Sequence, residues 1–124
     1  MKQQRTISPG LDESTKTLKA FSDAVRLRLL NLLNEDQEIC VCHLHEALEL
    51  PQPTVSRHLA YLRKSGLVIG RKQGLWVYYR LARSQSSLQR ILLGCLGNCL
   101  GDPQSFDADR QRLNRAISCC NRDT

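Results

Sequence analysis

The chain is short of the residues that usually build a bulky core. It has one methionine, one tryptophan and 5% aromatics in 124 residues. Any core must therefore be made mainly of leucine, isoleucine and valine. There is no run of 18 apolar residues, which leaves no candidate for a membrane-spanning helix. Residues 1–10 carry basic side chains with no apolar stretch behind them, so they are not expected to act as a secretory signal. A Cys-x-x-Cys within a βαβ pattern, a glycine-rich phosphate loop and a nucleophile–base–acid set are all missing. The chain is accordingly not expected to be an enzyme. No internal repeat or low-complexity tract occurs.

What is present is positive charge and cysteine. Lys and Arg outnumber Asp and Glu by 18 to 12, an excess that favours a polyanionic partner such as DNA. Six cysteines occur, at positions 40, 42, 95, 99, 119 and 120. With no sign of export, a cytoplasmic location with reduced thiols is expected. A soft-metal, metalloid or redox role then suits the cysteines better than a disulfide framework.

Along the chain, residues 1–12 read as a loose arm and 13–101 as one domain. Residues 102–124 read as a polar tail with a weak helical pattern at Leu113, Ala116 and Ile117. Leu18, Phe21, Val25, Leu29, Leu32 and Leu33 recur at helical spacing. Ser22-Asp23 interrupts that stretch and can cap a second helix from Ala24, giving helices near 13–21 and 23–34. A short helix is expected over 41–48. Another should open near Pro53, where proline's missing N–H has no partner to lose, and stop at Gly66. Strands at 67–70 and 76–81 flank a basic turn at 71–74. A last helix covers 86–100, with Leu88, Ile91, Leu92, Leu96 and Cys99 on its apolar side. The expected fold is mainly α with a β-hairpin: four helices, the hairpin, then a fifth helix, as in a winged helix-turn-helix.

In a helix-turn-helix the second helix enters the major groove. Its outward residues here would be Gln52, Thr54, Ser56, Arg57 and His58, of which Gln and Arg can read bases bidentately. Arg63 and Lys64 are placed for phosphates. Arg71 and Lys72, in the hairpin turn, would reach backbone or minor groove.

The runs Ile39-Cys40-Val41-Cys42-His43-Leu44, Gln52-Pro53-Thr54-Val55-Ser56-Arg57-His58-Leu59 and Lys72-Gln73-Gly74-Leu75-Trp76-Val77-Tyr78-Tyr79-Arg80-Leu81 closely resemble the ArsR family, and within it the arsenic-responsive repressors. The resemblance covers roughly residues 18–81. It implies a bacterial homodimer paired through its first and last helices. It also implies double-stranded operator DNA as partner and an arsenic-resistance operon as target. No permanent cofactor is implied. The inducer would be trivalent arsenic, as arsenite, or antimonite, held by three sulfurs.

Cys40 and Cys42 are soft ligands in their own right. On an intact helix, residues two apart point about 200° apart, since each step turns about 100°. Gripping one ion would then require the helix start to unwind, opposing the DNA-binding state. Where some relatives carry a third cysteine, this chain has His45. Imidazole suits zinc, copper or nickel better than arsenic, so Cys42 and His45, at (i, i+3), suggest a zinc or cadmium sensor as an alternative. The third ligand stays open among His45, a tail thiol and a small cellular thiol, and two sulfurs would be a fourth answer. Cys95 and Cys99, at (i, i+4), share a face suited to packing or ligation. Arg115 and Arg122 near Cys119-Cys120 favour thiolate, so that pair can serve as a second site or as a redox switch.

Overall fold

The computed structural model describes residues 9–122 apart from 36, 84 and 98–102. The elements run α1 (Pro9–Ala20), α2 (Ala24–Leu33), β1 (Ile39–Cys40), α3 (Val41–Leu48), α4 (Gln52–Lys64), β2 (Val68–Gln73), β3 (Trp76–Leu81), α5 (Ser87–Cys95) and α6 (Pro103–Arg122). This is a winged helix-turn-helix, with one strand and one helix more than the sequence suggested.

Local chemistry explains most boundaries. Asp23 caps α2 by accepting from the N–H groups of Val25 and Arg26, at 2.8 and 3.1 Å. α1 starts at Pro9, inside the stretch expected as an arm, because proline costs a first helical turn nothing. α3 ends at Glu49, which sits in the left-handed region with φ 56°, an uncommon place for a side-chain-bearing residue. Gly66 supplies the same turn after α4 with φ +81°. A reciprocal Ser86–Gln89 capping box opens α5.

The sheet order is β1-β3-β2, antiparallel throughout. β2 runs on through Gln73, which pairs with Trp76. The turn is therefore Gly74-Leu75 rather than 71–74, and Gly74 takes φ +62° as the first of two turn residues. Arg71 and Lys72 consequently lie on a strand, not in the turn.

The core is leucine-rich. Leu29, Leu30, Leu32 and Leu33 of α2 meet Leu44 and Leu48 of α3, Leu59 and Leu62 of α4, and Leu67, all at most 2% exposed. Leu18 and Ile91, expected on apolar faces, stand outward at 52% and 64% exposure, as does Leu11. α1 buries Thr17 and Ala20 instead.

The largest departure is α6, where a polar tail was expected. It buries Phe106, Asp109, Leu113 and Ala116 and packs on α2 and α3. Asp109 accepts from Arg28 at 2.8 and 2.9 Å and from Arg112 at 2.8 Å. The two arginines also donate to the last carbonyls of α3, Arg28 to Leu48 and Arg112 to Ala47. Arg110 does the same for Asn31 and Leu32 at the end of α2. Helix ends leave such carbonyls without intrahelical partners, so α6 seals two helix ends while neutralising its buried carboxylate. No helix among the described residues is long and apolar enough to cross a membrane.

Candidate nucleic-acid interface and thiol site

α4 buries Val55, Leu59 and Leu62 on one side. Its opposite side is open: Gln52, Arg57, Tyr61, Arg63 and Lys64 are exposed, and Thr54 and Ser56 half-buried. These are the residue types that can read base edges or grip phosphates. His58 behaves differently from expectation. It turns towards the start of α2, with Nδ1 3.3 Å from the Arg26 guanidinium and 3.8 Å from Asp23. Arg26 also stacks over the Tyr61 ring at 4.0 Å. His58 thus ties the reader helix to α2, and Tyr61, which the sequence reading passed over, borders the open face.

In the wing, Lys72 is exposed and forms no ion pair among the described residues. Arg71 is occupied: it forks onto both carboxylate oxygens of Glu38 at 2.7 and 2.8 Å, bonds Gln73, and lies over Tyr78. The hydrogen bond from Arg71 holds the Glu38 carboxyl below its ordinary range and raises the Arg71 guanidinium in turn. The hairpin tip carries Leu75 and Trp76, 95% and 56% exposed.

The geometry of the cysteine pair corrects the sequence argument. Cys40 is not helical: it is the last residue of β1 and the N-cap of α3, with φ −68° and ψ 141°. Its sulfur accepts from the Cys42 N–H at 3.4 Å, and the two sulfurs are 2.8 Å apart. The extended cap residue removes the 200° separation that an unbroken helix would impose. No unwinding is needed to bring the pair together. Cys40 is buried and Cys42 half-buried.

The other candidate ligands are elsewhere. His45 Nδ1 lies 3.2 Å from the Leu50 carbonyl, at the far end of α3. Among the described residues, no three His, Cys, Asp or Glu side chains gather into a metal-holding group. Cys95 is half-buried in the last turn of α5, and its expected neighbour Cys99 lies outside the described residues. Cys119 is exposed on α6 and lines a shallow groove with Glu46, Glu49, Arg112, Arg115 and Ala116. Cys120 belongs to α6, but its side chain lies outside the description.

Comparison with known proteins agrees with this architecture. Residues 23–69 match the family model described as bacterial regulatory protein, arsR family. The chain is similar to the arsenical resistance operon repressor of Escherichia coli K12, 55% identical over 64 residues. That match spans 52% of this chain and 55% of the repressor, about half of each. An HTH-type transcriptional regulator of Methanocaldococcus jannaschii is 44% identical over 68 residues, 55% of this chain and 76% of that protein. Among solved structures, HlyU from Vibrio cholerae superposes with a TM-score of 0.65 at 33% identity, covering 76% of this chain and all of that one. The winged helix-turn-helix, the matched segment and these relatives together establish that the chain belongs to the ArsR family of bacterial regulatory proteins.

Proposed function

We propose that the protein is a homodimeric transcriptional repressor that leaves its operator when trivalent arsenic binds the thiolates of Cys40 and Cys42. The observation that carries this reading is the 2.8 Å approach of the two sulfurs at the N-cap of α3. Soft thiolates select a soft thiophilic ion, and a close pair needs no refolding to begin chelation. The similarity to an arsenical resistance repressor points to the same inducer. Antimonite, with the same valence, would be the second ligand of this site.

Release follows from where Cys40 sits. Its sulfur caps α3, and its backbone pairs with Tyr78 of the wing strand β3. An ion between the sulfurs takes the lone pairs that capped the helix. Losing a cap costs about 0.5–2 kcal/mol, and sulfur, a weak acceptor, belongs near the lower end. The displacement passes two ways: through α3 to the α4 it packs on, and through the β1–β3 ladder to the wing. The reading also assigns the outward Leu11, Leu18 and Ile91 of α1 and α5 to the dimer contact.

The sulfur contact itself favours one other reading, a thiol redox switch using Cys40 and Cys42. DNA release by arsenite in fully reducing, thiol-free buffer separates the two. Arsenic sensing predicts release under those conditions, with Cys40→Ser and Cys42→Ser each binding operator DNA but ignoring arsenite. Normal release from the double variant would move the sensor elsewhere. A zinc or cadmium sensor gains less support, because His45 faces the Leu50 carbonyl.

A further inference from the structure

The open side of α4 carries a tyrosine whose ring is held by another helix. The buried residues of α4 are Val55, Leu59 and Leu62. Arg57, Tyr61 and Lys64 repeat the same steps of four and three, displaced by two residues. At about 100° per residue, that displacement turns them about 200° round the axis, opposite the core. Tyr61 is 40% exposed. Its backbone carbonyl accepts from the N–H and hydroxyl of Ser65. Among the described residues, no protein group bonds its own hydroxyl.

The ring is held by Arg26 of α2, whose guanidinium carbon lies 4.0 Å from its centroid. That guanidinium has little freedom of its own. Its Nε donates to the Ala20 carbonyl and its Nη2 to the Lys19 carbonyl, both at 2.9 Å. Its Nη1 lies 3.3 Å from His58 Nδ1. The two carbonyls close α1, where a helix end leaves acceptors without intrahelical partners. Arg26 thus joins the end of α1 and the start of α2 to the reader helix. A ring stacked on a fixed cation is attracted to one position. An exposed side chain that is already ordered has less freedom to lose on binding.

We propose that Tyr61, positioned by Arg26, donates a hydrogen bond from its hydroxyl to a phosphate of the DNA backbone. This rests on the DNA-binding part of the reading above and is independent of the inducer. Tyr61 is the tenth of the thirteen residues of α4. Recognition helices face bases with their N-terminal residues, so a residue this late in the helix meets the sugar-phosphate backbone. A tyrosine hydroxyl is among the usual phosphate donors. Arg57 lies one turn before it and Lys64 one turn after, so the hydroxyl stands between two cations. A neutral donor there fixes the register of the helix on the duplex and releases no counterion.

The test is fluorescence anisotropy of the full chain on an operator duplex and on a random-sequence duplex of equal length, at several salt concentrations. Tyr61→Phe keeps the ring on Arg26 and removes only the hydroxyl, so its thermal melt should match wild type. Its Kd should rise about tenfold on both duplexes, the low end for a hydrogen bond to a charged group. The salt slope should stay unchanged. Arg26→Gln should weaken DNA binding less in the Tyr61→Phe background than in wild type, because Arg26 acts through that hydroxyl. Equal Kd values for Tyr61→Phe and wild type would overturn the contact. A loss confined to the operator would overturn the phosphate assignment in favour of a base. Equal losses from Arg26→Gln in the two backgrounds would overturn its positioning role. A wild type that binds neither duplex would overturn the DNA-binding reading as well.

Discussion

Arg71 of the wing grips both carboxylate oxygens of Glu38, at 2.7 and 2.8 Å, two residues ahead of Cys40. A cation expected at DNA is instead a clasp between wing and thiol strand, bound to the segment that leads into the α3 cap. Arg71 depresses the Glu38 carboxyl in the folded state. The stabilisation is therefore present above the unfolded carboxyl's ordinary pKa, and is lost as pH falls through the lower folded value. Both groups are solvated, so the effect is small. Thermal melts of wild type and Glu38→Gln should differ at neutral pH and converge in acid; a gap that widens in acid would contradict the clasp.

Lys72 and Arg57 should fail differently. Lys72→Ala is expected to weaken binding to operator and random DNA alike and to reduce the salt dependence by about one phosphate contact. Arg57→Ala should cost about 1–3 kcal/mol on the operator and relax sequence preference. Fluorescence anisotropy titrations at several salt concentrations distinguish them. An unchanged salt slope in Lys72→Ala would remove the wing from the interface.

His58→Ala should lower stability and leave base preference unchanged, because the ring faces Arg26 and Asp23 rather than the open side of α4. Loss of sequence discrimination with normal melting behaviour would return His58 to the DNA.

Asp109→Ala should be strongly destabilising although it lies away from the site. Its carboxylate is fully buried between Arg28 and Arg112. Breaking a buried pair by removing one partner costs about 3–5 kcal/mol. Urea unfolding should show that loss. If the variant does not fold, Arg112→Gln, which leaves the Arg28 pair in place, should show a smaller loss of the same sign.

The sequence reading succeeded where local signals agree and failed where they are weak or distant. α2, α3 and the second wing strand were legible because Asp23 is a strong cap, the leucines keep helical spacing, and 76–81 alternates. β1 has only two residues and exists through its pairing with Tyr78 and Tyr79; no local pattern announces it. That strand holds Cys40 extended, which is why helical geometry misjudged the cysteine pair. Cysteine is also not a usual cap residue, so the N-cap role left no signature. α6 was obscured because a charged residue, Asp109, occupies a core position, and its partner Arg28 lies 81 residues away.

The most direct test of the central claim, that the cysteine pair and the DNA reader oppose each other, is arsenite affinity measured with and without saturating operator DNA. Linkage requires arsenite to bind the DNA complex more weakly by the factor with which it weakens DNA binding. The account predicts a reduction of about 5–150-fold, the usual range of allosteric coupling. Equal arsenite affinity for free and DNA-bound protein would contradict it.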